Sequence, residues 1–300
     1  MNEGLGEESL IVWLGNIEKN QSKDKRYRHT LLKEKNEHKL ETMEPLKIIF
    51  KKAHEDARQR LRKAFEISLD PFDVEGEEEV QYDPAEGYPE VLGMTTLKGY
   101  FGEVFAGIIA ENFSPFEEDN WKVPAFSFRY HEIAFDQLEM LMQTGENIEN
   151  IPGRTGDDCL AFVLDNGKII KVLFCEAKCT AGHSETMIKK AHEQISTSNR
   201  YPVELRRLIE ILNEYDSKEA KLWVKALREL WFSRAKPTHE RYNLVSYVCG
   251  QSPKVPKDRR SWIPSDVAHN KYTGIHKLEA VEVHLDDIEG TICELYGKEV

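Results

Sequence analysis

Three hundred residues with 40% apolar content suffice for a buried core, and the absence of any long uninterrupted apolar run excludes a membrane-spanning helix. The formal net charge is −12, but it is regional: residues 70–158 carry 21 acids against 4 bases, whereas residues 201–262 carry 13 bases against 8 acids. Five cysteines without framework spacing and no signal peptide point away from secretion and toward a reducing, cytoplasmic setting.

A short apolar patch, Leu10 to Leu14, precedes a polar, basic stretch reaching residue 40. From Glu44 to Phe65 the pattern is an amphipathic helix, with Leu46, Ile49, Phe50, Ala53, Ala57, Leu61 and Ala64 at helical spacing and Pro45 suited to its first turn. Residues 70–94 read as a loop rich in Pro, Gly and acids; its segment Asp73 to Glu79 repels polyanions and would shield a site or dock on a basic partner. Leu97 to Ile109 reads as an amphipathic helix carrying Glu103 near its start, followed by a strand over 121–130 and a helix over 131–143.

The most informative stretch comes next. Two apolar runs, Asp158-Cys159-Leu160-Ala161-Phe162 and Val172-Leu173-Phe174-Cys175-Glu176-Ala177-Lys178, flank Asp165-Asn166-Gly167-Lys168, and Asn-Gly between apolar runs signals a β-hairpin because both turn residues must take positive φ. Strand alternation places Glu176 and Lys178 on one face and Cys175 and Ala177 on the other, with Asp158 opening the partner strand beside them. Two carboxylates so close repel unless a cation intervenes, and oxygen ligands favour Mg²⁺ or Mn²⁺ over zinc. A lysine there can position or deprotonate an attacking water and offset charge on a phosphoryl transition state. Whether Asp157 or Asp158 is the ligand stays open, with the alternation beginning directly after Asp158. A competing set, Cys175-x3-Cys179-x3-His183, has zinc-ligand chemistry but lacks a tight Cys-x2-Cys knuckle and a fourth ligand.

The order of Asp158, hairpin and Glu176-Ala177-Lys178 resembles the core motif of the PD-(D/E)xK nuclease superfamily, which includes restriction endonucleases, archaeal Holliday-junction resolvases and the RecB nuclease domain. Glu103 resembles the family's additional metal-site glutamate, and Gln194 in the helix Ile188 to Ile195, followed by Tyr201, resembles the Gln-to-Tyr helix of RecB-like members. The likeness covers roughly residues 95–200, and the proline that names the motif is not adjacent to the acid, the nearest being Pro152. It implies an α/β restriction-endonuclease-like core, a mixed sheet flanked by helices. It further implies Mg²⁺ or Mn²⁺ on Asp158, Glu176 and Glu103, with the Ala177 carbonyl as a further ligand, and Lys178 and Gln194 as catalytic residues hydrolysing DNA. RNA as substrate stays open.

After Gln194 two helices are expected, about 203–214 and 217–233, as a helical insertion, then a strand over Tyr242 to Cys249 returning to the sheet. Lys254, Lys257, Arg259 and Arg260 with Trp262 form a Pro-containing basic loop of a kind that stacks bases and binds phosphates, and the chain closes with a strand, 278–285, and a helix, 286–296. The expected organisation is therefore a helical and acidic-loop region, 1–94, followed by a nuclease-like domain, 95–300. A compact nuclease without a motor or recognition domain resembles in arrangement the effector subunits of bacterial anti-phage systems, the Hachiman kind among them, which work beside a helicase or ATPase. The alternative is a catalytically inactive interaction module that binds a partner or DNA ends.

Overall fold

From Tyr242 to Cys249 only Asn243 and Ser246 interrupt an apolar run, Tyr242, Leu244, Val245, Tyr247, Val248 and Cys249, and this strand lies in the interior of a sheet buried on both faces. The computed structural model describes residues 7–65, 83–128, 158–197, 201–233, 239–254 and 256–298. Its strands are β1 (Leu14–Gln21), β2 (Tyr27–Glu34), β3 (Cys159–Asp165), β4 (Lys168–Thr180), β5 (Glu240–Cys249) and β6 (Lys277–His284). They form one mixed sheet in the order β1-β2-β6-β5-β4-β3. The four central strands run parallel, and each edge is closed by an antiparallel hairpin.

The helices are α1 (Glu7–Trp13), α2 (Lys39–Ala53), α3 (Glu55–Phe65), α4 (Met94–Asn112), α5 (Glu185–Thr197), α6 (Tyr201–Leu212), α7 (Lys218–Phe232) and α8 (Ile288–Tyr296). One face of the sheet, with Leu173, Cys175, Ala177, Leu244 and Val248, packs against α1–α4 and α8. The opposite face, with Phe162, Val172, Phe174, Val245 and Tyr247, packs against α5, α6 and α7. The chain is thus α/β, a mixed sheet flanked by helices. The two helices expected as an insertion are α6 and α7, and they supply much of the second face's cover, Trp223 meeting Phe162 at a ring distance of 6.1 Å.

Several expectations change. Residues 14–34 are a hairpin rather than a polar lead-in: Thr30 donates to Glu279 Oε1 at 2.8 Å and His29 lies 3.6 Å from Glu282, so polar side chains are buried where hydropathy suggests solvent. The helix expected over 44–65 starts at Lys39, with Pro45 inside it, and breaks at His54. There the ring turns into the core, within 3.2 Å of both Tyr88 Oη and Tyr296 Oη and stacked on Phe128. Within 121–128 there is no strand beyond a single bridge, Lys122 to Phe162, that caps the β3 edge. The helix expected over 131–143 and the acidic segment 73–79 lie outside the described residues.

Glu282, fully buried on β6, anchors the loop beyond the strand ends. It accepts from the backbone N–H groups of Trp262 (2.8 Å) and Ile263 (2.9 Å), and His284 Nε2 lies 2.6 Å away with Ser252 Oγ 3.0 Å from its Nδ1. Burial opposes its ionisation, but the hydrogen bonds from His284 and the backbone hold the carboxyl at about 2. A depressed carboxyl contributes stability that is complete above its unfolded value, about 4.3, and is lost as pH falls toward the folded value. Chemical denaturation from about pH 7 downward should therefore show a loss of roughly 3 kcal/mol across that window. Glu282→Gln should be less stable near neutrality and flatter in acid; an identical acid profile contradicts the assignment.

Candidate active site

The turn that builds the site is Asn166-Gly167, with φ of 50° and 76°, the two consecutive positive-φ residues that a two-residue hairpin of this twist requires. It fixes the register Lys168 to Asp165 and, past a bulge at Val163–Leu164, Cys175 to Cys159. Asp158 therefore arrives beside the outer half of β4. Its N–H donates to Cys175 O at 3.1 Å, and its Oδ2 accepts from the Ala177 N–H at 2.7 Å, so the side chain replaces the ladder bond that a longer β3 would have made.

Glu176 and Lys178 occupy the same strand face, as alternation demands. Glu176 is only 4% exposed, a burial that a carboxylate tolerates when paired. The Lys178 ammonium supplies the partner: it donates to Glu176 Oε1 at 2.5 Å and to the Ala177 carbonyl at 3.1 Å, and lies 3.9 Å from Asp158 Oδ2. Three oxygens, from Asp158, Glu176 and Ala177, thus converge on one cation, and that cation is the lysine itself. Burial pulls the lysine toward neutrality, but Asp158 and Glu176 outweigh it and raise its affinity for the proton.

Glu103 sits on α4, which belongs to the other face of the sheet, and it is the tenth of the helix's nineteen residues rather than near its start. Beyond the Cys159–Cys175 pair, β4 has no strand partner on the β3 side among the described residues, and α4 crosses it there: a Cβ on Gly102 would lie 3.4 Å from the Cys179 Cβ and 3.7 Å from that of Ala177. Glu103, buried to 6% exposure, is by this crossing within electrostatic reach of Lys178 and adds to holding it charged. The structure brings together Asp158, Glu176 and Lys178, with Glu103 acting on Lys178 through its charge.

Gln194 is not gathered with them. It is exposed on α5, whose buried residues are Ile188, Ala191, His192 and Ile195, because the helix turns its apolar stripe to the sheet and leaves the glutamine outside it. Tyr201 begins α6, and Asp157 and Pro152 lie outside the described residues. The cysteine-histidine set does not converge either: Cys175 is buried on the face opposite Glu176, whereas the His183 ring stacks on Trp262 at 3.8 Å.

Sequence reasoning passed over Tyr247, the register partner of Lys178 on β5. It reads as one more apolar strand residue, yet its Oη accepts from the Ser184 N–H at 2.9 Å and ties the segment leaving β4 back to the sheet. Its dependence on a loop N–H left no signal in the local pattern.

The donor set suits a small hard cation: carboxylate oxygens of Asp158 and Glu176 and a backbone carbonyl, with no sulfur or imidazole. Among the described residues, no three His, Cys, Asp or Glu side chains gather into a metal-holding group, so a divalent ion here would need that carbonyl and the displacement of the ammonium. No family model matches the chain, and comparison with curated proteins finds no relative.

Removing the ammonium should expose the cost of the buried acid. Lys178→Met should destabilise the fold by roughly 3 kcal/mol, and the added change Glu176→Leu should restore most of it, since replacing both partners removes the stranded charge. Equal stability of Lys178→Met and wild type in urea titrations would show that Glu176 does not depend on this partner.

Proposed function

We propose that this protein is a metal-dependent nuclease that hydrolyses DNA phosphodiester bonds. The observation that carries the reading is the convergence of Glu176 Oε1, Asp158 Oδ2 and the Ala177 carbonyl on a single cation position at the open end of β4. The resemblance of Asp158, hairpin and Glu176-Ala177-Lys178 to the PD-(D/E)xK motif supports the same assignment. So does topology: the site lies toward the carboxyl ends of parallel strands, where open α/β sheets place their ligands.

In this reading Asp158, Glu176 and the Ala177 carbonyl would hold Mg²⁺ or Mn²⁺, and the ion would supply Lewis acidity to the hydrolysis. Glu103 adds negative charge from the flank and keeps Lys178 protonated. A lysine held as ammonium acts as a donor: it orients the attacking water through its lone pair and offsets charge on the transition state, rather than accepting the water's proton. Ala177 joins the two acids mechanically, because its N–H fixes Asp158 while its carbonyl faces Lys178. A helicase or ATPase partner in anti-phage defence belongs to the same proposal, by likeness of arrangement, and co-purification tests it.

The lack of a three-side-chain metal group among the described residues favours a second reading, a nuclease-like module that binds a partner or DNA ends without cutting. One experiment separates the two. Wild type should cut plasmid or linear DNA with Mg²⁺ or Mn²⁺, stop in chelator, and lose about 10²-fold or more in Lys178→Ala with the fold retained. Cleavage indifferent to both chelator and Lys178→Ala would sink the enzyme reading at this site, and no cleavage of DNA or RNA under any metal leaves the binding module.

A further inference from the structure

Just beyond the carboxyl ends of β4 and β5 the chain builds a second feature. Gly250 N–H donates to Thr180 O at 3.0 Å and His183 N–H to Gln251 Oε1 at 3.2 Å, so the two exits run side by side. On them rests the loop ending at Trp262. The indole stacks on the His183 ring at 3.8 Å and 11°, its Nε1 donates to Gln251 O at 2.6 Å, and the Arg259 guanidinium lies over the same indole at 5.2 Å. The loop is rigidly held: Arg259 donates to the carbonyls of Ser261 and Trp262, Ile263 is buried, and the backbone N–H groups of Trp262 and Ile263 end on Glu282.

Around this ladder of planar groups stand Lys254, Lys257, Arg259 and Arg260, all exposed, and among the described residues none of the four forms an ion pair. Four exposed cations thus fall within seven residues of sequence, 254–260, with Asp258 the one acid among them. His183 follows Lys178 by five residues, so the ladder lies at most about 18 Å along the chain from the candidate site.

We infer that the Trp262–His183 stack and its flanking cations form a docking platform for a single strand of nucleic acid that leads to or from the Glu176–Lys178 site. This rests on the nuclease reading only for its direction; the platform itself is a binding surface. A single strand fits better than a duplex. Asp258 lies among the cations, and Glu18 and Asp266 line the hollow beside the loop, so charge alone would hold a duplex weakly. Unstacked bases can use a ladder of Arg, Trp and His planes, and phosphates can use the unpaired Lys and Arg.

Fluorescence polarisation of labelled oligothymidine and oligouridine of about 20 nucleotides, in chelator so that nothing is cut, reads the platform directly. Wild type should bind single strands more tightly than a matched duplex. Lys257→Ala/Arg260→Ala, two exposed positions that hold no part of the loop, should weaken binding roughly 10-fold and reduce the salt slope by about 1.4, at about 0.7 per lost phosphate contact. Trp262→Ala should weaken it at least about 5-fold with the slope unchanged, and Trp262→Phe should recover most of that. If wild type binds neither single strand, prefers duplex, or is matched by the Lys257→Ala/Arg260→Ala variant in affinity and slope, the platform is overturned. If wild type binds as described yet cuts nothing with metal, the platform stands and the nuclease reading falls.

Discussion

The constraint on which the rest depends is the register of the β3–β4 hairpin. Because side chains alternate with a period of two, a slip by one residue would send Glu176 and Lys178 into the core formed with α4 and bring Cys175 and Ala177 to the polar side. Two consecutive positive-φ residues at Asn166 and Gly167 prevent the slip at one end. Asp158 prevents it at the other by clasping both Cys175 O and the Ala177 N–H. A residue proposed as a metal ligand is therefore also a register pin, and its two roles use the same carboxylate.

From that register follows the electrostatic arrangement. Glu176 is buried beside Asp158, with the charge of Glu103 within reach, and a cation between the two hairpin acids makes the pair tolerable. In the structure Lys178 provides it. The passage of α4 over Ala177 and Cys179 at Gly102 brings the charge of Glu103 to bear on Lys178 from the far side of the sheet. The site is thus assembled from both layers of the fold although every motif residue on the hairpin points to one.

What was legible in the sequence were features with local causes. The hairpin followed from Asn166-Gly167, the facing of Glu176 and Lys178 from strand alternation, and α7 and β5 from apolar periodicity. What was not legible depended on distant partners. β2 carries His29 and Thr30 inward only because Glu282 and Glu279 wait for them on β6, so its pattern looks like solvated chain. The break at His54 requires Tyr88 and Tyr296, neither of which is near it in sequence. Gln194 shows the converse case: a motif position suggests a role, but the stripe of Ile188, Ala191 and Ile195 decides which way the helix faces, and the glutamine falls outside it.

The pairing of β2 with β6 joins residues 27–33 to residues 278–284, nearly the whole length of the described chain apart. During synthesis the β3–β4 hairpin can close as soon as it emerges, whereas β5 and β6 come later and β2 must wait longest for its parallel neighbour. The acids of β4 are therefore made well before β5 covers that strand's other edge, and the Glu282 anchor of the Trp262 loop is among the last contacts available. A growing chain presents unpaired strand edges on both sides of the missing centre, which makes it a client for chaperones and prone to pairing with its neighbours on a polysome. The same delay leaves the Trp262 loop without its Glu282 anchor while the β3–β4 hairpin is already closed.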